Sequence, residues 1–490
     1  MTYQTATPSG GFLSRSRTVA KPGYSRWMVP PAALCVHLCI GQAYAFSVFN
    51  LPLTKLLGIA NSTPPADWAN HSNLNWVQSA PDDWKLTSLG WIFSLAIFFL
   101  GVSSAVFGRW VEEGGPRKAM FTAALCWAGG FFISAIGVHL HMLWLIYLGY
   151  GVIGGIALGI GYIAPVSTLI KWFPDRPGMA TGMAIMGFGG GALIASPFSV
   201  WLMSRFNTAK HVGVLETFVV LGVVYFVFMI IGAIIVRVPA ADWAPAGYVK
   251  PTQAKKLISR NDVFVYDALK TPQFWLIWWV LCLNVTAGIG VLGQASAMSQ
   301  EMFPGRVTAV AASGFVGLMS LFNMGGRFGW ATISDYIGRR NTYFVFMVLG
   351  FILYCLVPRT GNSGSVAGFV VCFLIIISMY GGGFSTVPAY LKDMFGVRYV
   401  GAIHGLLLTA WSAAGIFGPV LVNYIRAYNV AHGVPKAQAY NTTMYIMAGL
   451  LVVGFLCNLA VKAVDARFHM PGDATDAQAA VAAAGDPAGA

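Results

Sequence analysis

The chain alternates apolar runs of about 20 residues with short polar turns, and each run is long enough to cross about 30 Å of hydrocarbon. Twelve runs are predicted as membrane helices: 28–52, 87–110, 119–138, 143–170, 177–203, 215–237, 273–298, 308–333, 342–358, 366–391, 399–425 and 441–462. The first is long, lacks a small-residue cleavage site and is followed by eleven more, so it is expected to stay as a helix and not to be removed as a signal peptide.

The pattern repeats. "GYIAPVSTLIKWFPDRPGMATG" begins at Gly161 and "GFSTVPAYLKDMFGVRYVGAIHG" at Gly383, 222 residues on, with Arg176 matching Arg398 and Pro197 matching Pro419. "GRWVEEGGPRK" after the second run and "ATISDYIGRR" after the eighth align Glu112 with Asp335 and Gly115 with Gly338. Two six-helix halves are expected, 27–237 and 272–463, joined by a cytoplasmic linker at 238–271. Such duplication is typical of carriers whose halves rock about a midplane site. The basic tail at 1–26 and the Ala/Gly/Asp-rich tail at 464–490 are expected to be disordered. The long loop from Gly58 to Lys85 is read as decoration or as a cap.

Composition supports a chain mostly in lipid: 57% of the 490 residues are hydrophobic, 10% are charged and the mean hydropathy is +0.67. Soluble domains carry about 25% charged residues. Most of the 30 lysines and arginines fall in the segments that face one side when the amino terminus is placed inside. Both termini are therefore expected in the cytoplasm. That asymmetry accounts for the net charge of +13, and nucleic acid is not needed as a partner. The seven cysteines all lie in apolar runs without paired spacing in loops, so no disulfide framework is implied; Cys35 and Cys39 read as packing residues and not as a metal site.

One residue breaks the apolar pattern. Arg327, in "NMGGRFGWATISDYIGRR", lies eight residues before Asp335 and so about 12 Å deeper along a helix. A buried guanidinium needs a partner, and an intramembrane ionisable residue is a functional candidate by default. All 17 acidic residues fall in tails, loops or span ends. A carboxylate arriving from water can supply the missing charge bidentately. Asn323, one turn earlier on the same face, can add an amide. The competing reading has Arg327 reach towards the cytoplasm or cap carbonyls.

The "GRWVEEGGPRK" turn resembles the signature between helices 2 and 3 of the major facilitator superfamily. The twelve runs, the linker and the second copy fit that family's plan along nearly the whole chain. The resemblance implies a monomeric all-α carrier, with Glu112, Arg117, Lys118, Asp335, Arg339 and Arg340 in the cytoplasmic gate. A narrower resemblance rests on "YAFSVF", "KWFPDRPGMATG", "NMGGRFGWATISD" and "GLLLTAWSAAGIFGP", which together look like the oxalate/formate antiporter family and the related monocarboxylate transporters. It implies that Arg327 pairs with a substrate carboxylate. It also implies that Tyr44, Tyr162, Tyr380 and Phe384 set rings around a small acid.

Departures refine this expectation. Oxalate transporters carry a lysine after a Thr-Ala pair in helix 11, where this chain has Trp411. One intramembrane cation suits a monoanion better than a dianion, and Trp411 narrows the site towards a compact acid such as lactate, pyruvate or formate. Animal-type monocarboxylate transporters couple protons through a helix 1 lysine and a helix 8 acid; here Ser47 and Val48 stand where that lysine would come, and Asn323 replaces the acid. His37 and His404, the histidines inside the runs, are the candidate proton relays, against the alternative of hydrogen-bonded structural residues or of a proton entering with the weak acid itself.

Tryptophans 275, 278 and 279 read as an interfacial anchor, and the glycines of "MGFGGGAL" and "YGGGF" as close-packing and bending points. No glycine-rich loop ends in a nucleotide site's Lys-Ser/Thr pair, and no nucleophile with a base, paired acids or metal set falls within the runs, which argues against an enzyme or a bound cofactor. The expectation is a multi-pass plasma-membrane carrier of the bacterial inner-membrane type. It moves small monocarboxylates, by proton symport or by oxalate/formate-type exchange; a drug or sugar carrier and a substrate sensor are the other readings.

Overall fold

The computed structural model describes residues 11–68, 77–240, 243–248, 259, 261–292 and 294–470. Among them the chain is almost wholly helical. In chain order the long segments are α1 (Arg26–Asn61), α2 (Leu86–Gly114), α3 (Pro116–His139), α4 (Leu143–Trp172), α5 (Pro177–Phe206), α6 (Val214–Ile235), α7 (Pro272–Leu292), α8 (Ala309–Ile337), α9 (Arg339–Ser363), α10 (Val366–Phe395), α11 (Val400–Ala431) and α12 (Asn441–Ala460). Eleven of these are long and apolar enough to cross a membrane. The remaining one, α8, has 29 residues and carries the polar pair Asn323 and Arg327.

The segments form two bundles. In the first, α3 packs on α6 and α2 on α4; in the second, α7 packs on α11 and α9 on α12. The bundles meet along α5 with α8 and α2 with α11. Close approach of α8 to α10 requires glycine: a Cβ on Gly326 would stand 2.1 Å from the Ser378 carbonyl oxygen, and one on Gly381 would stand 2.4 Å from that of Asn323. This crossing brings the Arg327 turn against Tyr380.

Several helices are broken where the site forms. In α1 the helix tightens to a 3-10 form over Gly41–Phe49, around Tyr44. In α4 a π-helical stretch, Tyr147–Gly154, precedes the turn bearing Tyr162. In α11 the helix divides into Val400–Leu407 and Thr409–Ala431, between His404 and Trp411. The run expected to continue to residue 298 stops at Leu292, and Ala295–Met302 forms a separate short helix. There Glu301 accepts hydrogen bonds from Arg426 at the end of α11 and from Tyr440.

The turns after α2, α4, α8 and α10 share one end of the molecule, here the basic end. The first tail lies against it. Residues 11–26, expected as disordered, form a short 3-10 helix at Arg15–Thr18. They pair with the start of the linker through Val238 N–H to the Thr18 carbonyl and Ala20 N–H to the Val238 carbonyl, each 2.9 Å. Burial of Thr18 and these backbone bonds hold a segment whose polar composition alone gives no packing signal. Likewise Ala466–Phe468 forms a 3-10 turn in the second tail, and Met470 N–H donates to the Asp262 carbonyl. Asp262 in turn accepts from Val397 N–H and Arg398 N–H, which anchors the end of the linker to the α10–α11 turn.

At the opposite end, Asp83 accepts from the backbone N–H groups of Leu57, Gly58 and Ala80, fixing the described part of the 58–85 loop to α1. Residues 69–76 of that loop lie outside the described residues, as do 1–10 and 471–490 of the tails and part of the 238–271 linker.

Candidate functional site

Arg327 sits at the centre, where α8 faces α5 and α10, and is fully buried. Its Nε donates to the Asn323 carboxamide oxygen at 3.0 Å, so that one side of the guanidinium is fixed by a residue one turn away on the same helix. Its Nη1 and Nη2 are buried and have no hydrogen-bond partner. Among the described residues no acidic side chain forms an ion pair with it. Within the protein it is surrounded by rings: the guanidinium carbon is 5.2 Å from the centre of Phe384 and 5.6 Å from that of Phe188, and the hydroxyls of Tyr44 and Tyr162 also turn towards it.

The remaining residues expected at the site converge from four helices, α1, α4, α10 and α11. The Tyr44 and Tyr380 hydroxyls are 3.1 Å apart, joining α1 of one half to α10 of the other. Trp411, on α11, lies with its ring centre 4.3 Å from that of Phe384, the planes tilted by 50°, and 5.4 Å from Phe188 and 5.6 Å from Tyr162. The Tyr162 hydroxyl and the Trp411 indole N–H are both buried without a hydrogen-bond partner. The structure therefore brings Arg327, Asn323, Tyr44, Tyr162, Tyr380, Phe384 and Trp411 together. Phe188 belongs with them and was missed. It stands in a glycine run that reads as a helix-packing element, although it is the one large side chain of that turn.

His37 and His404 lie one layer towards the basic end. His37 stacks on Tyr162 at 5.2 Å and bonds through Nε2 to the Tyr162 carbonyl at 3.2 Å. His404, from the other half, meets the same ring at 5.8 Å, and both its nitrogens are buried without partners. Tyr162 is thus held between an imidazole of α1 and one of α11.

At the basic end two carboxylates cross between the halves in matching ways. Glu112, at the end of α2, accepts from Gly401 N–H in the first turn of α11 at 3.0 Å and pairs with Lys171. Asp335, at the end of α8, accepts from Gly178 N–H and Met179 N–H in the first turn of α5, both at 2.8 Å, and pairs with Arg339. Each acid sits where a helix N-terminus presents free N–H groups and positive partial charge. Arg339 also reaches Asp393 at 3.3 Å. Arg117, Lys118 and Arg340 make no bond between the halves: Arg117 donates to the Phe12 carbonyl, Lys118 lies over Trp110, and Arg340 donates to the Asn458 and Leu459 carbonyls. Lys171, which pairs with Glu112, was not among the residues expected here. Its signal was its place in the repeat, since it falls 222 residues before Asp393, the acid that pairs with Arg339 in the second half.

Two pseudo-equivalent helical bundles around a buried, aromatic-lined cation are the plan of a membrane transport protein. The family model of the Major Facilitator Superfamily matches residues 26–419, and the chain belongs to that family. It is 29% identical over 396 residues to the oxalate:formate antiporter of Oxalobacter formigenes, covering 80% of this chain and 83% of that one. It is 23% identical over 451 residues to apicoplast pyruvate carrier 1 of Toxoplasma gondii, covering 78% and 80%. It is 24% identical over 405 residues to human monocarboxylate transporter 11, covering 82% and 77%. Among solved structures, the Escherichia coli fucose:proton symporter superposes with a TM-score of 0.62 at 14% identity, covering 89% of this chain and 99% of that one. This last likeness is one of fold.

Proposed function

We propose that the protein is a secondary carrier of small monocarboxylates, working by alternating access, with Arg327 as the anion anchor. The observation that carries this reading is the pair of buried, unpartnered guanidinium nitrogens facing a ring-lined centre, with no acid among the described residues paired to them. A carboxylate would accept both N–H groups side by side, and burial makes such a charge-assisted pair strong. Phe188, Phe384 and Trp411 would exclude water and leave room for a compact acid only. The reading includes twelve crossings with both termini in the cytoplasm of a bacterial inner membrane, which places the basic end inside.

In the proposed cycle the substrate neutralises Arg327 and allows the two halves to reorient without an uncompensated charge at the midplane. Glu112 and Asp335 hold the basic end shut by bonding helix N-termini of the opposite half, and release them when that end opens. Proton symport is the preferred mode. His404 carries the proton in this reading because it lies at the seam between the halves, with no protein partner for either nitrogen and the ring of Tyr162 between it and His37. Exchange of organic anions is the second reading, favoured by the 29% identity to a protein named as an oxalate:formate antiporter.

Uptake of labelled L-lactate into proteoliposomes tests both. Wild type, Arg327→Gln and His404→Gln are compared under an inward proton gradient and, at equal pH, with unlabelled anion inside. Gradient-driven accumulation that is lost in Arg327→Gln supports symport. Retained exchange with lost accumulation in His404→Gln assigns the relay. Uptake only against preloaded anion moves the protein to the exchangers, and no carboxylate transport in either format overturns the assignment.

A further inference from the structure

The two halves can be compared residue by residue at the basic end, and at the start of α3 and of α9 they dispose of the same cation differently. In the second half, Arg340, in the first turn of α9, donates to the Asn458 carbonyl at 3.2 Å and the Leu459 carbonyl at 2.6 Å, the last carbonyls of α12. This disposes of a cation that a helix N-terminus disfavours, by placing it on the negative end of a neighbouring helix. The offset that aligns Glu112 with Asp335 and Gly115 with Gly338 sets Arg117 against Arg340, and Ile235 and Val236 against Asn458 and Leu459. Arg117 occupies the same place in the first turn of α3, beside the end of α6.

Its expected partners are taken. Arg237, whose counterpart in the second half is Ala460, turns its own Nη1 back onto the carbonyls of Ile234, Ile235 and Val236 at 2.6, 3.2 and 2.8 Å. The Tyr24 hydroxyl adds a further bond to the Ile235 carbonyl. Arg117 is left with the Phe12 carbonyl at 3.1 Å and the face of the Phe12 ring at 4.8 Å. It is 3% exposed, and its Nε is buried without a partner. Arg117 lies in the first turn of α3 and Arg237 two residues past the end of α6, which packs on α3, so the two cations share one edge of the basic end. Among the described residues no acidic side chain pairs with either.

We propose that Arg117 and Arg237 form a binding site for the phosphate headgroup of an anionic phospholipid at the α3–α6 edge. Two adjacent guanidinium groups without an acid match a phosphodiester, which accepts several N–H bonds and brings the missing charge. A lipid is favoured over a free anion by the surface that continues from the site. The last turns of α6 present Phe228, Ile231 and Ile234 outward, exposed and apolar, where acyl chains would lie. Phe12, 55% exposed, lies over the guanidinium of Arg117, as an interfacial aromatic does.

Native mass spectrometry of the full-length protein in detergent tests this, with phosphatidylglycerol and phosphatidylcholine of the same acyl chains added in equal amounts. Wild type should retain phosphatidylglycerol in excess. Each of Arg237→Ala and Arg117→Gln should reduce that excess about fivefold, the contribution of one basic residue at an anionic surface. Arg205→Ala, at an exposed arginine of the opposite end, should leave it unchanged. Arg237→Ala carries the test should Arg117→Gln not fold, since Arg237 is only half-buried and its loss frees the Ile235 and Val236 carbonyls for Arg117. Equal retention of the two lipids by wild type, or an undiminished excess in Arg237→Ala, would overturn the proposal. So would thermal stabilisation by inorganic phosphate without lipid preference, which would assign a soluble anion instead.

Discussion

Arg327 and Asn323 divide one task. Asn323 takes the Nε side of the guanidinium at 3.0 Å, which leaves the Nη1 and Nη2 edge free and fixes its direction. Lysine keeps the charge but not the planar fork, so Arg327→Lys should raise the KM for the carboxylate about tenfold, the loss of one charge-assisted hydrogen bond. Arg327→Gln should abolish measurable uptake. Asn323→Leu preserves volume but frees Nε; because the guanidinium can then rotate, KM should rise with maximal rate little changed. Initial-rate kinetics in proteoliposomes separate the three, and an Arg327→Lys variant with unaltered KM would show that the fork contributes nothing. Arg327 was legible in the sequence because a lone cation in an apolar run needs a reason. Phe188 was not, and Lys171 was only through its place in the repeat. A phenylalanine among glycines and a lysine at a span end are ordinary in a membrane helix, and their roles arise only when α5 meets α8 and α4 meets α2.

At the scale of elements, helix breaks place the site, and they were the least legible feature of the chain. Hydropathy sums over a run and cannot show that α11 divides at Leu408, or that α7 ends at Leu292 with a separate helix beyond it. The short helix is held by Glu301, whose carboxyl is pushed below its ordinary value of 4.5, first by hydrogen bonding from Arg426 and further by Tyr440. The sign of the pH effect follows. A depressed folded-state value contributes stability that is present above the ordinary value and is lost as pH falls through the depressed one. Thermal midpoints of wild type should therefore drop more steeply between about pH 5 and pH 3 than those of Glu301→Gln, which lacks the titrating group. At pH 7 Glu301→Gln should be the less stable, and the gap should close as the pH falls. Parallel midpoint-against-pH curves would remove Glu301 as the anchor of this helix.

For the whole molecule, the internal repeat makes a quantitative statement that neither half makes alone. Glu112 on the α2–α11 seam and Asp335 on the α5–α8 seam do the same work with different neighbours, each bonding the first turn of a helix in the opposite half. Losing a side-chain cap of this kind costs about 0.5–2 kcal/mol, so Glu112→Ala or Asp335→Ala should shift the balance between closed and open basic ends by about two- to thirtyfold. The two acids share no partner, so their effects should add, and the double variant should shift the balance by the product of the single changes. Spin labels at positions 118 and 398, both exposed and on opposite halves at that end, report the change as a longer distance population in double electron–electron resonance. A double variant no more open than either single one would mean that one seam alone holds the end shut and that the matching geometry is inherited but idle. Additive opening would make the two seams independent locks, both of which substrate binding at Arg327 must release before the anion can leave.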